Sequence, residues 1–97
     1  MKFGNKLREL REEKGFVLRK VAAQLDIDTA TLSKIELGDR QAKREHIPIL
    51  AELYGVRITE LEKLWLAEKV YDIIENEDQG LNALKEVETT YKKANKK

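Results

Sequence analysis

Few residues in this 97-residue chain are spaced for covalent chemistry. His46 is the only histidine. Any Ser/His/Asp arrangement would hang on it alone, and its place near a helix start gives it a structural or solvent role. No glycine loop is spaced to cradle phosphate. Glu60, Glu62, Glu75, Glu77 and Asp78 lack the spacing of a calcium loop and read as solvated helix faces and caps. With no cysteine, disulfides and thiolate metal sites are excluded, which suits a reducing cytoplasm. No cofactor, metal or enzymatic activity is expected. The informative spacing lies from Phe16 to Gly38, FVLRKVAAQLDIDTATLSKIELG. It reads as a helix, a tight turn at Asp26-Ile27-Asp28, and a second short helix closed by glycine. With this spacing a helix-turn-helix sets its second helix in the major groove of DNA.

Those two helices need others to hold them. Charged helix formers alternate with apolar residues at helical spacing along the whole chain, and strand signals are nearly absent. Gly15, Gly38 and Gly55 each follow an apolar run, where a helix needs a left-handed residue just past its end. The spacing predicts a first helix from Phe3 to Lys14, with Phe3, Leu7 and Leu10 on one face. A second, Leu18 to Leu25, turns Val21, Ala22 and Leu25 inward. A third starts after Asp28 as N-cap and buries Leu32 and Ile35. A fourth starts between Arg44 and His46, since Pro48 is tolerated only near a helix start. It runs to Tyr54 and buries Ile47, Leu50, Ala51 and Leu53. Thr59-Glu60-Leu61-Glu62 reads as a capping box that opens a fifth helix reaching about Asn76. Asp78 reads as the cap of a sixth, carrying Leu81, Leu84, Val87 and Tyr91. Lys92 to Lys97 reads as a fraying end.

The length suits one compact domain plus a short extension. There is no run of ~18 apolar residues to span a membrane and no apolar signal core at the N-terminus, so no membrane partner and a cytoplasmic location are expected. Net charge is +1, unevenly spread: net +3 over residues 1–58, −6 over 59–91 and +4 over 92–97. A basic front and an acidic back suggest that one end meets an anion and the other does not.

The pattern can now be collected. Leu7 and Leu10-Arg11 lead to Gly15. Val21-Ala22, Leu25 and Ile27 follow, then Thr31-Leu32-Ser33-Lys34-Ile35-Glu36 and Gly38. Leu50-Ala51 and Leu53-Tyr54-Gly55-Val56 close it. On these residues the segment Leu7 to Leu61 resembles the phage-repressor-type helix-turn-helix family, also called lambda-repressor-like or XRE. The resemblance implies an all-α fold: a five-helix lambda-repressor-like helix-turn-helix domain, here with an additional C-terminal helix for dimerisation. It implies a structural ion pair between Arg11 and Glu36 that clamps the first helix to the third. It also implies base-edge contacts from Thr29, Ala30, Ser33 and Lys34, with the lysine suited to guanine and the alanine methyl to thymine. Phosphate contacts would come from Arg19, Lys20, Arg40, Lys43 and Arg44.

Three positions depart from the family pattern. The turn residue is Asp26 instead of glycine; Asp tolerates the left-handed conformation better than most residues. The second helix opens with Val17-Leu18 in place of a capping Thr or Ser and a Gln, leaving Arg19 or Lys20 and the free N–H groups for phosphate. The loop after Gly38 reads Asp39-Arg40-Gln41-Ala42, without the usual proline.

The fifth helix carries two apolar stripes. Leu61, Leu64 and Trp65 can finish the domain's own core. Leu66, Ala67, Val70, Ile73 and Ile74 lie on roughly the opposite side and need cover from the sixth helix, a partner subunit, or both. The organisation expected is a helix-turn-helix DNA-binding domain at 1–66, a helical dimerisation region at 67–91 and a basic tail at 92–97. The expected interface of a homodimer uses Leu66, Val70, Ile73, Ile74, Leu84 and Val87.

The sequence therefore reads as a sequence-specific DNA-binding transcription regulator of prokaryotic or mobile-element type. It would be a repressor or a restriction-modification controller that binds a palindromic operator on double-stranded DNA as a homodimer. Two alternatives stand beside it. One is an antitoxin of the same fold that binds DNA and a toxin partner. The other is a protein-interaction module that has lost DNA binding, for which Val17, Leu18, Leu37 and the modest basic balance leave room.

Overall fold

The computed structural model describes residues 3–96. Those residues form six helices: α1 (Phe3–Glu13), α2 (Leu18–Gln24), α3 (Thr29–Leu37), α4 (His46–Tyr54), α5 (Ile58–Ile74) and α6 (Gly80–Ala94). They contain no strand. Helices α1 and α2 both pack on α3, and α5 packs on α4 and on α1. Leu7, Val21, Leu32, Ile47, Leu50 and Leu61 are the largest fully buried side chains. Each contributes about 1.5–3 kcal/mol by leaving water. Around them Phe16, Leu18, Ile27, Leu53, Val56 and Leu64 are partly buried against the same core.

Local chemistry sets several helix ends. Asp28 Oδ1 accepts from the Thr31 N–H at 2.7 Å and starts α3. Gly38 (φ 87°) and Gly55 (φ 65°) end α3 and α4 in the left-handed region. Pro48 is the third residue of α4, where its missing N–H has no helical acceptor to lose. Gly4 meets a requirement that the local pattern does not announce. A Cβ there would lie 2.7 Å from the Glu36 carbonyl oxygen and closer still to that of Ile35, so α1 crosses the backbone of α3 without a side chain between them.

Three sequence expectations are corrected. Thr59 is not the cap of α5: the helix begins at Ile58 with Arg57 as N-cap and no side-chain cap bond. Glu60, the second residue of the expected box, pairs with Lys63 at 3.1 Å on the surface. Asp78 does not cap α6, whose N-cap is Gln79, with its Oε1 accepting from Asn82 Nδ2 at 2.9 Å. Lys92 and Lys93 do not belong to a frayed end, because α6 continues to Ala94. The residues of the first turn of α5 are exposed, so the amides left without a cap are open to water, and core packing of Leu61 fixes the start.

Tyr54 is buried with no hydrogen-bond partner for its hydroxyl. Burial pushes its pKa up to about 12 from 10.0. The fold favours the neutral phenol, so this contribution to stability is full below pH 10 and is lost as pH rises towards 12. Tyr54→Phe removes an unsatisfied polar atom and is expected to be neutral or stabilising at pH 7. It is also expected to flatten the loss of stability between pH 10 and 12. Urea unfolding at pH 7 and at pH 11 checks both.

Candidate nucleic-acid interface

The approach to α2 is extended at Val17 (φ −79°, ψ 148°), and no side chain caps the helix. Arg19 and Lys20 are exposed in its first turn. The chain then turns through Asp26, which has φ 56° and is the only non-glycine residue with positive φ among the described residues. The Asp26 and Ile27 N–H groups close the turn on the carbonyls of Ala23 and Ala22 at 3.1 and 3.0 Å. Ile27 is half-buried against the core and anchors the turn from below.

Helix α3 has two unlike sides. Leu32, Ile35 and Glu36 are buried. Thr29, Ala30, Lys34 and Leu37 are exposed and Ser33 is half-buried. The spacing from Ala30 through Ser33 and Lys34 to Leu37 is i, i+3, i+4, i+7, one outward stripe. Leu37 is 60% exposed on that stripe. Its place there was readable from the seven-residue interval, although the family pattern does not single it out. At the start of α3, Thr31, through its side chain and then its backbone N–H, holds the Asp28 carboxyl below its ordinary pKa. The cap thus stays ionised at neutral pH.

Arg11 and Glu36 hold the hidden side of α3. Arg11 Nε donates to Glu36 Oε2 at 2.8 Å and Nη2 to Oε1 at 3.1 Å. Nη1 donates to the Phe16 carbonyl at 3.0 Å. One guanidinium therefore joins α1, α3 and the entry to α2. Donating to the Glu36 carboxylate raises the Arg11 pKa further above its already high ordinary value.

The loop after α3 carries the remaining cations. Gly38 turns it, and the Asp39 and Arg40 N–H groups both close on the Lys34 carbonyl, at 2.9 and 3.3 Å. Arg40, Lys43 and Arg44 are exposed, whereas Ala42 is buried. Trp65 of α5 fixes the loop by donating its indole N–H to the Ala42 carbonyl at 2.7 Å. The Arg44 guanidinium lies 4.9 Å from the Trp65 ring centroid. A stacked guanidinium keeps its N–H edges free to donate. Arg40 and Lys43 share a crevice of about 250 Å³ with Asp28, Thr31 and His46. The loop thereby lies beside the N-terminal end of α3. His46 itself is buried, with Nδ1 unpartnered, so its place is structural and not in solvent. The Trp65 contact spans 23 positions and only the folded chain reveals it.

A family model described as a helix-turn-helix domain matches residues 2–64, about two thirds of the chain. The chain belongs to the phage-repressor-type helix-turn-helix DNA-binding family. This helix-turn-helix domain is similar to an HTH-type transcriptional regulator, DdrOP3, of Deinococcus deserti. The two are 36% identical over 61 residues, covering 63% of this chain and 47% of that protein, so the chain spans about half of its length. The domain is equally similar to control protein C.MunI of a Mycoplasma species, 36% identical over 62 residues. That match covers 63% of this chain and 84% of the relative. No solved structure matches the chain. Among the described residues of this helix-turn-helix protein, no helix is long and apolar enough to cross a membrane.

Proposed function

We propose that the protein is a sequence-specific transcription regulator that binds a palindromic operator as a homodimer. The observation that carries this reading is the free outward stripe of α3, flanked by exposed cations from the start of α2 and from the loop after α3. Thr29, Ala30, Ser33 and Lys34 read base edges, and Leu37 adds an apolar contact suited to a thymine methyl. Arg19, Lys20, Arg40, Lys43 and Arg44 fix the register on phosphates. Two copies are needed because one nine-residue helix reads few base pairs. The exposed Leu66, Val70 and Ile73 of α5, the half-buried Ile74, and the exposed Leu84 and Val87 of α6 supply the interface. The likeness to a protein named as a control protein supports the repressor or controller form over an antitoxin with a toxin partner. The cytoplasm is its place of action.

Two substitutions test the docking. Lys34→Ala is expected to cost about 1–3 kcal/mol at one base pair of each half-site and to relax specificity there. Arg40→Ala is expected to weaken all sequences alike and to lower the slope of log affinity against log salt by about 1 for each copy bound. Fluorescence anisotropy with labelled duplexes over a range of salt measures both. Wild-type affinity and slope in both variants would contradict this docking.

A further inference from the structure

Helix α6 is 15 residues long, yet none of its side chains is buried. Leu81, Val87 and Tyr91 are each 60% exposed or more. An isolated helix of this length is marginal in water, so its apolar stripe needs a cover. Helix α5 does not provide one. The two helices meet at the corner at Gly80, where a Cβ would lie 2.6 Å from the Ile74 carbonyl oxygen, but they do not pack along their lengths. Between them lies an open, mainly apolar groove of about 390 Å³, lined by Ala67, Glu68, Val70, Tyr71, Ile74 and Leu84.

The size of the missing cover can be read from the whole molecule. A compact chain of 11.3 kDa exposes about 5,700 Å². This one exposes 7260 Å². Its radius of gyration is 15.5 Å, against about 12.5 Å for a compact chain of this length. The surplus of about 1,500 Å² per copy is the area that a permanent homodimer interface of about 3,000 Å² in total removes.

We infer that α6 of a second copy fills this groove and runs antiparallel to α6 of the first. The inference rests on the homodimer reading above and specifies its geometry. Charge sets the direction. The corner before α6 carries Glu75, Glu77 and Asp78, and its far end carries Lys92, Lys93 and Lys96. Packed helices lie 8–10 Å apart, about one Debye length at physiological salt. An antiparallel pair with Leu84 of one copy beside Val87 of the other brings each acidic corner next to a basic end. A parallel pair would set acid against acid and base against base.

The chain has no cysteine, so single introduced cysteines report the arrangement cleanly. In the antiparallel register Leu81 faces the region of Tyr91 in the other copy. Leu81→Cys and Tyr91→Cys, oxidised separately, are expected to stay at single-chain mass on a non-reducing gel. Mixed before oxidation, they are expected to give a species of twice that mass. Linkage within each variant alone would show a parallel pair and overturn the inference. A reduced-state mass by sedimentation confirms that each variant still pairs. Leu84→Glu is the second test, since Leu84 is open in the single chain and the domain core does not need it. It is expected to halve the sedimentation mass with unchanged helical circular dichroism. A dimer that survives Leu84→Glu and never cross-links would overturn the α6 pairing and leave the homodimer reading standing. Wild-type protein that sediments as a monomer at micromolar concentration would overturn both and leave the groove to a different protein.

Discussion

Val70→Asp is expected to reduce operator affinity by about 100-fold or more while leaving the domain folded. Val70 is 42% exposed on the open face of α5, so the change removes nothing from the core of the single chain. It puts a carboxylate in the interface, where an unpaired charge cannot be desolvated. Without pairing, each reading helix binds a half-site alone. Linked binding exceeds the affinity of one module by about 10²–10⁴-fold. Filter binding on the operator and sedimentation of the free protein measure the two effects together. Wild-type affinity from a protein shown to be monomeric would contradict the role of the interface.

Glu36→Ala is expected to have the largest effect on stability. The carboxylate side chain is 5% exposed and that of Arg11 15%, so its loss leaves a guanidinium largely buried without its charge partner. Breaking such a pair from one side costs about 3–5 kcal/mol, against a total of about 5–15 kcal/mol for a domain. The melting temperature should fall by roughly 20 °C. Replacing both partners together, Arg11→Met with Glu36→Leu, is expected to cost much less, because no buried charge remains. Thermal circular dichroism of the two variants beside the wild type decides. A loss of only about 1 kcal/mol for Glu36→Ala, the worth of an exposed pair, would contradict the clamp.

What the sequence made legible follows from which forces are local. Asp28 as a cap and Gly38 as a terminator act within one helical turn, and both could be placed from residue types alone. The core stripe of α1 and the hidden face of α3 followed from helical periodicity. Thr59 misled because a capping box is a local signal that core packing can override. Leu61 and Trp65 are buried, and the helix that presents them begins before the threonine. Gly4 was silent because its function lies in a close approach to α3, more than 30 positions away. Trp65 on Ala42, and Glu68 Oε2 accepting from the Phe3 N–H at 2.6 Å, tie distant segments that no periodicity connects. The second stripe of α5 was readable as a face in need of cover. Which element covers it depends on the angle at the Gly80 corner, and that angle emerges only in three dimensions.

The most direct test of the whole account is selection of binding sites from a random double-stranded DNA pool, with Lys34→Ala in parallel. The account expects a palindrome whose half-sites lie about one helical turn apart, changed by Lys34→Ala at one base pair in each half. No enrichment at low salt would contradict it, and the open faces of α3 and α5 would then have to serve protein partners alone.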